Sequence, residues 1–513
     1  MQHLLRAVVT GAVLAIAVEA AAAPPTQRPK LDRALWHAAD HARDADPVGV
    51  IITTEVYGFA ALRARLALHG DRIIDEQPQL SVLTVLLHAA DLQVLESDVS
   101  VRHLSANAIV NAAGGSARPA AESNPARRAL LDTLGLTGPV ASGRGVGVAV
   151  IDSGIQPAAD LTVDDFYDFT RGGQRSAPYD DYGHGTHVSG LIGGRSSGVA
   201  RGVRLVGLKV LDDHGQGRVS DVVSAIEFAV ANRRRLRIDV LNLSLGHPTT
   251  EPPQDDPLVQ AVERATRAGL IVVVSAGNAH GAAVEATSGF GDVTSPGTAP
   301  SAITVGAIDT HATVSRSDDT VAGYSSRGSS DGIQKPDVAA PGANLVSNAA
   351  RDSWLYAEYP DRRVEDAEGA NRLFRLSGTS MAAAVTSGVV SLLIEEHRGN
   401  TSETLTPNLV KAILQFSALP VNGDAAASGA GALNAAGALE LAASRGPAGA
   451  AGEWATRLVV PPFTAIGGTQ YVWGQTVIWG TTVIWGNAVY VDEPAWSSSA
   501  VWGQTVIWGT AVR

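Results

Sequence analysis

Apolar and polar positions follow two distinct patterns along the chain, and each pattern predicts its own α/β unit. Over residues 48–104, short apolar strands and amphipathic helices succeed one another in the order β-α-β-β-α-β. That order is typical of a small ferredoxin-like unit. The strands are expected at Val48–Val56, Arg72–Ile74, Leu80–Leu87 and Val99–Leu104, and the helices at Gly58–His69 and Ala89–Glu96.

From about residue 126 onward, continuous apolar runs indicate strands that are buried on both faces. These strands are expected at Gly147–Asp152, Val203–Leu211, Ile238–Leu245, Gly269–Ser275 and Ala302–Ala307. Helices are expected at Ser220–Arg234, Leu258–Ala268, Met381–Glu396 and Pro407–Ala418. The alternation predicts a doubly wound α/β domain with a mainly parallel sheet, whose functional residues gather at the carboxyl ends of the strands.

The N-terminus carries the three parts of a secretory signal. Residues 1–6 include one Arg, Ala7–Val18 is apolar, and Ala21–Ala23 offers small residues for cleavage. The alternative is a membrane anchor, which needs about 20 apolar residues and is disfavoured because this run is shorter. The sequence therefore predicts a signal peptide over residues 1–23 and a secreted or extracytoplasmic protein.

Two segments rich in Gly, Ala, Ser and Pro divide the rest of the chain. They are Asn111–Pro125 and Ala442–Gly452, and both are expected to be exposed linkers. We therefore predict an N-terminal unit over residues 24–122, a catalytic domain over 123–443, and a linker and tail over 444–513.

The C-terminal tail is repetitive and rich in tryptophan. Six of the nine Trp residues lie in the last 41 positions, and VWGQTVIWG occurs twice, at Val472–Gly480 and Val501–Gly509. In a strand, the six-residue period would place Trp473, Trp479 and Trp485 on one face. We expect a short β-rich appendage that packs on the catalytic domain or on itself. The alternative is an aromatic face that contacts carbohydrate or a cell surface.

Composition excludes several classes of function. Lys plus Arg total 39 and Asp plus Glu total 51, so the net charge of −12 argues against a nucleic-acid partner. The chain contains no Cys, which excludes disulfides, thiolate metal sites and a cysteine nucleophile.

Three Gly-punctuated segments carry residues of catalytic type. Asp152 ends the strand in VAVIDSG, His184 lies in YGHGTHVSG, and Ser380 opens a helix in LSGTSMAAAVTSG. Taken singly, each has a plainer interpretation: a capping Asp, a packed histidine and an N-cap serine. A metal site of His184 and His187 with Asp180 or Asp181 is a further alternative. Together, the chain order Asp, His, Ser fits a nucleophile, its general base and the carboxylate that orients the base.

Five segments in this order resemble the subtilisin-like serine peptidases, the subtilases. They are VAVIDSG at 148–154, HGTHVSG at 184–190, LNLSLG at 241–246, SAGN at 275–278 and SGTSMA at 377–382. The resemblance implies that Ser380 is the nucleophile, His184 the general base and Asp152 its orienting carboxylate. It also implies that the Asn278 side chain stabilises the oxyanion.

The same resemblance implies a groove that binds extended polypeptide substrates by strand addition. Its edges would be Gly215, Gln216 and Gly217 on one side and Ser244, Leu245 and Gly246 on the other. Ser275, Ala276 and Gly277 would form one wall of the primary specificity pocket.

Two departures from the family pattern concern the helix after Ser380 and a calcium loop. Ala384 stands where Pro is usual, which is expected to alter helix geometry and not chemistry. The loop Gly193–Gly202 is shorter than in calcium-binding subtilisins and lacks their Asn, so a structural calcium is possible but unsupported. The metal ligands are therefore unknown, with a solvated acidic loop preferred for Asp160, Asp164, Asp165 and Asp168. No cofactor is required for the chemistry.

The position of the ferredoxin-like unit, between the signal and the catalytic domain, resembles that of a subtilase propeptide. The resemblance implies a folding assistant and intramolecular inhibitor that is cut within or just before Asn111–Pro125. The predicted function is an exported, self-processed serine endopeptidase. The alternative is a surface-binding protein that uses the Trp-rich tail, with a peptidase domain that is inactive or only self-processing.

Overall fold

The computed structural model describes most of the chain between residues 30 and 485. The described residues are 30–41, 47–113, 126–137, 141–278, 292–330, 333–366, 369–370, 372–400, 405–444, 462–474, 476–479 and 482–485. The predicted signal peptide, most of the segment Asn111–Pro125 and the repeats after residue 485 lie outside them. Within the described residues, no helix has the length and apolarity needed to cross a membrane.

The N-terminal unit has the predicted β-α-β-β-α-β order, preceded by one helix and followed by one strand. Its elements are α1 (Arg33–His41), β1 (Pro47–Thr54), α2 (Phe59–His69), β2 (Arg72–Gln77), β3 (Val82–His88), α3 (Asp91–Glu96), β4 (Val101–Ala106) and β5 (Ile109–Ala112). Strands β1 to β4 form an antiparallel sheet in the order β2-β3-β1-β4. Leu62 and Leu66 of α2 and Leu92 and Leu95 of α3 pack on this sheet, because helix spacing of three or four residues puts them on one face.

The catalytic domain begins at α4 and alternates strands with helices. Before Ser380 its elements are α4 (Ala126–Thr133), β6 (Gly147–Asp152), β7 (Asp165–Asp168), β8 (Gln174–Arg175), α5 (His184–Gly193), β9 (Arg204–Lys209), β10 (Gln216–Arg218), α6 (Val219–Leu236), β11 (Val240–Leu243), β12 (Leu245–Gly246), α7 (Pro257–Arg267), β13 (Ile271–Ser275), β14 (Ile303–Asp309), β15 (Thr320–Val321), β16 (Gly328–Ser330), β17 (Ile333–Lys335), β18 (Val338–Pro341), β19 (Leu345–Asn348), α8 (Trp354–Glu358), β20 (Arg363–Val364) and β21 (Leu373–Leu376). The remaining elements are α9 (Thr379–Asn400), α10 (Pro407–Phe416), α11 (Ala425–Ser428), α12 (Ala435–Ser444), β22 (Phe463–Ile466), β23 (Thr469–Val472), β24 (Thr476–Trp479) and β25 (Thr482–Trp485).

Nine of the strands that the structure describes form one mainly parallel sheet. Its order is β15-β14-β13-β11-β6-β9-β7-β8, and β18 also pairs with β14. The pairs of β6 with β9 and β11, and of β13 with β11 and β14, are parallel, whereas the edge strands β8 and β15 run antiparallel. The predicted doubly wound, mainly parallel α/β domain is confirmed.

Two layers of apolar side chains cover the faces of this sheet. Helices α5 and α9 contribute to one buried cluster, and α6 and α7 contribute to the other. Helix α9 is one continuous helix in which Ala384 is fully buried. The long central helix therefore carries Ser380 at its N-terminal end and crosses the middle of the domain.

Two elements near the active site differ from the sequence prediction. The acidic segment Asp165–Asp168, expected as part of a solvated loop, is strand β7, in which Phe166 and Tyr167 are buried. Segment His184–Gly193, which is absent from the expected helices, is helix α5 despite its three glycines. Packing against the sheet outweighs the low helix propensity of glycine in α5.

The chain returns to the catalytic domain after residue 461. Strands β22 and β23 form a hairpin, and Trp473 beyond it is buried with its indole N–H donating to Thr464 Oγ1 at 2.7 Å. The Trp473 ring packs edge-on against Phe416 of α10. Trp473 is thus a packing residue, which disfavours its use in an exposed aromatic face. Strands β24 and β25 also pair antiparallel, and residues 486–513 lie outside the described part.

Candidate active site

Asp152 and His184 meet because their elements end and begin at the same edge of the sheet. Asp152 is the last residue of β6, and His184 is the first residue of α5. His184 Nδ1 lies 2.8 Å from Asp152 Oδ1 and 3.0 Å from Asp152 Oδ2, which assigns the Nδ1 proton to this contact. Both side chains are 1% exposed. The imidazole orientation is therefore set by a buried carboxylate.

Asp180 ties these two elements together. Its carboxylate accepts hydrogen bonds from the Ser153 hydroxyl at 2.9 Å, the Gly183 N–H at 2.7 Å and the Thr186 N–H at 2.8 Å. The Ser153 hydroxyl oxygen in turn accepts from the Gly185 N–H at 2.9 Å. Gly183 has φ +105°, a conformation that favours glycine, and it offers no capping side chain. Asp180 thus satisfies the open amide groups at the start of α5.

The two histidines of the HGTH segment differ in charge preference. Burial lowers the pKa of His184, but the charge and hydrogen bond of Asp152, with the charge of Asp180, outweigh it and leave that pKa raised. Burial and the neighbouring His184 lower the pKa of His187 to about 3, so His187 is neutral. His187 Nε2 lies 3.1 Å from the carbonyl oxygens of Leu345 and Phe374 and serves packing.

Ser380 and Asn278 converge on one carbonyl group, that of Ala113. Ser380 Oγ donates to the Ala113 oxygen at 2.8 Å, and Asn278 Nδ2 donates to the same oxygen. Asn278 Oδ1 accepts from the Thr379 N–H at 2.9 Å, which fixes its amide orientation. His184 Nε2 is buried and has no hydrogen-bond partner among the described residues, so it can accept a proton.

Residues 109–113 occupy the groove that the sequence placed between two glycine-containing edges. Strand β5 pairs antiparallel with β10 on one side and with β12 on the other. The Ala112 N–H donates to the Gly215 carbonyl at 3.1 Å, and the Ala113 N–H donates to the Ser244 carbonyl at 3.1 Å. Among the six expected edge residues, Gln216 and Gly217 pair with Asn111 and Val110, and Leu245 and Gly246 pair with Ala112 and Asn111. All six thus contact or flank one extended segment.

Ser275, Ala276 and Gly277 run directly into Asn278 at the end of β13. The Gly277 N–H donates to Thr379 Oγ1 at 3.1 Å, next to Ser380 in the chain. Gly277 has φ +108°, and a Cβ there would lie 3.0 Å from the Thr294 side chain. This segment therefore lies beside Ser380, as expected of a pocket wall. Residues 279–291, which follow Asn278, lie outside the described part.

The geometry of the described residues does not favour the metal alternative at the histidines. Asp180 is occupied by backbone and hydroxyl donors, and Asp181 Oδ1 accepts from the buried Lys209 Nζ at 2.6 Å. Within the described ranges, groups close enough to share a metal ion occur at His69, Asp71 and Asp91 and at Asp212, Asp213 and His214. Neither group includes His184 or His187.

The four aspartates for which a solvated loop was preferred over a calcium site have protein partners. Asp160 Oδ1 accepts from Asn348 Nδ2 at 2.6 Å, Asp164 pairs with Arg204 at 3.1 Å, and Asp165 pairs with Arg175 at 2.8 Å. Asp168 accepts from the Thr170 N–H at 3.0 Å and the Tyr179 hydroxyl at 2.8 Å. These contacts account for the acidic residues without a cation, and calcium dependence stays a prediction.

Two contributors to this site were not predicted. Ala113 was expected only as part of a linker, because a small residue in a Gly/Ala-rich stretch carries no local signal. Asp180 was considered only as a metal ligand. Its position four residues before His184 is the signal that indicates a capping role at the start of α5.

Comparisons with known proteins agree with this geometry. A family model described as the subtilase family matches residues 143–438, more than half of the chain. Serine protease AprX of Bacillus subtilis (strain 168) is 37% identical over 293 residues, which cover 54% of this chain and 62% of AprX. Subtilisin DY of Bacillus licheniformis is 32% identical over 298 residues, which cover 57% of this chain and 90% of that protein.

A solved structure shares the fold. It is fervidolysin from Fervidobacterium pennivorans, described as a keratinolytic enzyme related to subtilisin, with a TM-score of 0.61 and 21% identity. The alignment covers 83% of this chain and 64% of fervidolysin. The matching segments, the mainly parallel sheet and the family match lead to one conclusion: the chain belongs to the subtilase family of serine endopeptidases.

Proposed function

We propose that this protein is an exported serine endopeptidase that cuts its own precursor and then other polypeptides. One observation carries the proposal: the Ala113 carbonyl oxygen receives hydrogen bonds from both Ser380 Oγ and Asn278 Nδ2. An extended segment of the chain is therefore bound as a substrate would be, with the acyl carbonyl beside the nucleophile. Ala113 supplies the acyl carbonyl, and Ala112 before it is the penultimate residue.

The residues present support acyl transfer without a cofactor. His184 Nε2 takes the proton from Ser380 Oγ as the oxygen bonds to the carbonyl carbon. The negative charge that forms on the carbonyl oxygen is stabilised by the Asn278 amide, a preorganised donor. The imidazolium, held by Asp152, then gives its proton to the leaving amine. Water enters, loses a proton to His184 and releases the acyl group from Ser380.

The bond after Ala113 is the proposed site of self-processing. After this cut, residues 24–113 would remain as an inhibitor whose last strand fills the groove, consistent with the pairing of β5. This site lies within the expected segment Asn111–Pro125 but before the expected domain boundary at residue 122. The N-terminal unit also contacts the catalytic domain through Gln77 Nε2, which donates to Ser224 Oγ at 3.1 Å.

Export is supported by the sequence of residues 1–23 and by membership of the subtilase family. Polypeptides are the proposed substrates because the groove offers two strand edges to an extended backbone. The chain spans 62% of the length of AprX, and the activity and partners of the whole relative are not carried over to it.

Two measurements on purified full-length protein test the proposal. A fluorophosphonate probe is expected to label Ser380 in the mature wild type, and N-terminal sequencing is expected to begin at Gly114. Ser380→Ala is expected to remain uncut and unlabelled. Ser391→Ala is the matched control, since Ser391 lies buried on the same helix and bonds only within that helix, at 2.8 Å to the Ser387 carbonyl. A Ser380→Ala precursor that still cuts itself would contradict the mechanism.

A further inference from the structure

An aromatic wall stands beside the catalytic histidine and is not needed by the acyl-transfer chemistry. We define it as Tyr182, Trp354, Tyr359 and His214. Tyr182 and Trp354 stack with ring centroids 5.9 Å apart and an interplanar angle of 17°. Tyr359 meets Trp354 edge-on at 5.9 Å, and His214 lies 6.1 Å from it. Trp354 is 37% exposed, so a large apolar surface faces the solvent here.

Contacts through Gly215 place this wall next to the penultimate residue. The Gly215 carbonyl accepts from the Ala112 N–H at 3.1 Å. A Cβ at Gly215 would lie 2.5 Å from the Tyr182 ring, so the ring packs directly on that glycine. Tyr182 is also only 6.5 Å from the His184 ring, measured between centroids. The wall therefore begins where the penultimate residue binds.

The side chain of the penultimate residue faces the enzyme. Side chains alternate along a strand, so Ala112 points to the same face of β5 as Val110. Val110 is fully buried in the catalytic domain, whereas Asn111 between them is exposed. The Ala112 methyl packs against the apolar cluster that contains Val110, and Gly215 lies between this residue and the Tyr182 ring of the aromatic wall. A longer apolar side chain at this position would cover the wall.

The wall is built before any ligand arrives. The Trp354 N–H donates to the Asp181 carbonyl at 2.8 Å, and the Leu355 N–H donates to the Tyr182 carbonyl at 3.0 Å. The Arg362 guanidinium lies 4.2 Å from the Tyr359 ring centroid. These contacts join helix α8 to the loop that carries His184. Because the rings are held in place, a ligand would lose little binding free energy to ordering them.

We propose that the aromatic wall selects substrates with an aromatic residue, Phe or Tyr, at the penultimate position. This inference rests on the proposed endopeptidase function and names its substrate class. An aromatic ring at this position would lie against Tyr182 and Trp354 in the offset or edge-on geometries that such pairs prefer. The preference is for penultimate Phe over Ala, by about tenfold in kcat/KM, the size of one good aromatic pair.

The test uses the mature enzyme and the peptide anilides Ile-Val-Asn-Xaa-Ala, which copy residues 109–113 with Xaa as Ala, Leu, Phe or Lys. Wild type is expected to favour Phe over Ala about tenfold in kcat/KM. In Trp354→Ala the Phe-to-Ala ratio is expected to fall towards one, and in Trp354→Phe it is expected to recover. Phe463→Ala is the matched control, because Phe463 is similarly exposed at 36% but lies on the β22–β23 hairpin. It should leave the ratio unchanged.

Three results would overturn the assignment: equal rates for Phe and Ala in wild type, a preference for Lys, or a Trp354→Ala enzyme that loses rate without changing the ratio. The last result would give the wall only a structural role in holding the His184 loop. Failure of the endopeptidase proposal is distinguishable, since it would abolish fluorophosphonate labelling and cleavage of all four peptides.

Discussion

His103 Nε2 of the N-terminal unit lies 2.6 Å from Glu251 Oε2 of the catalytic domain, and both side chains are buried in their interface. Ser105 donates to the same carboxylate oxygen at 2.9 Å. Burial, with the charges of Asp256, Asp32 and Asp255, raises the pKa of Glu251 well above its usual value. Burial and the charge of Arg102 lower the pKa of His103. The charges of Asp255 and Asp256 act to raise it, but the net result is a lowered pKa. These two directions favour a neutral His103 beside a protonated Glu251, with one proton on the pair, while the two units are together.

This proton makes release of the cleaved N-terminal unit pH-dependent. Once water reaches both groups, their pKa values return to about 6.5 for His and about 4.3 for Glu. Above about pH 6.5 the separated pair holds no proton, so rising pH favours separation, by up to tenfold per pH unit. Below about pH 4.3 the separated pair holds two protons, so falling pH also favours separation. Binding is expected to be tightest between these values.

The appearance of peptidase activity after self-cleavage, followed from pH 4 to 9, measures this release. Glu251→Gln removes the charge that must be neutralised and is expected to flatten the alkaline side. Burial and the charge of Asp75 raise the pKa of Asp221 to about 6 at the same interface, so rising pH favours separation through this group between about pH 4 and pH 6. Asn107→Ala removes an interface hydrogen bond that involves no carboxylate, from the Ser220 N–H to Asn107 Oδ1 at 3.1 Å, so it is the control and should shift release equally at every pH. Release in wild type that is independent of pH would contradict the prediction.

The acid side of the pH–rate profile should report His184. The base must be neutral, and its pKa is raised, so activity is expected to fall as the pH drops through a value above 6.5. Asp152→Asn should shift this limb to lower pH and reduce kcat by about 10⁴-fold, because the carboxylate no longer holds the imidazolium. Measurement of kcat/KM from pH 5 to 10 tests the position of this limb in wild type and in Asp152→Asn. A flat profile from about pH 5 to 9 would count against this base.

Asn278 should affect turnover more than substrate binding. Asn278→Ala removes the amide donor at the Ala113 oxygen, and kcat is expected to fall about 10²–10³-fold with little change in KM. Thr379→Ser keeps the hydroxyl that donates to Asn278 Oδ1 and serves as the control. Steady-state kinetics on one peptide separates the two effects. A rise in KM with kcat unchanged would assign Asn278 to binding alone.

Chelation should leave the mature enzyme intact. The short loop Gly193–Gly202 is closed by its own amides, with Gly198 N–H donating to the Gly194 carbonyl at 2.7 Å. Asp160 at its base is engaged by Asn348. Because these hydrogen bonds already hold the loop and engage Asp160, EDTA is expected to change neither Tm nor activity. A lowered Tm that added Ca²⁺ restores would establish a calcium site.

Trp473 should stabilise the catalytic domain although it lies beyond the expected boundary at residue 443. Trp473→Ala would leave a cavity against Phe416 and Gly437, and is expected to cost about 3 kcal/mol or more of unfolding free energy. Urea unfolding in the Ser380→Ala background avoids self-digestion. Trp473→Phe keeps a ring and should lose less, whereas the exposed Phe463→Ala should change little. An unaltered midpoint for Trp473→Ala would show that the contact is not stabilising.

The buried strands could be predicted because a parallel strand covered on both faces is a run of apolar residues, as in Gly147–Asp152. Helix α5 and strand β7 could not. The glycines of α5 have a low helix propensity, so the sequence gives little sign of a helix. Its first turn depends on hydrogen bonds to the Asp180 carboxylate. In β7 the flanking aspartates suggest solvent, but Arg175 and Arg204 pair with Asp165 and Asp164.

The candidate site also contains some residues that the sequence could predict and others that it could not. Asp152, His184 and Ser380 stand out because chain order and glycine punctuation are local features of the sequence. Ala113 and Trp354 do not, since each reaches the site through the fold: one through the register of β5, the other through a loop bonded to Asp181. Contacts between segments far apart in the chain leave no periodic signal.

The edges β10 and β12 face each other across a gap that a single strand fills. For the proposed peptidase, a helix or an already paired strand cannot enter this gap, because its backbone groups are engaged elsewhere. A folded substrate must first open locally over several residues, and the free energy of that opening adds to the barrier. Among folded proteins, the order of digestion should therefore follow the local stability of their segments before it follows their sequence.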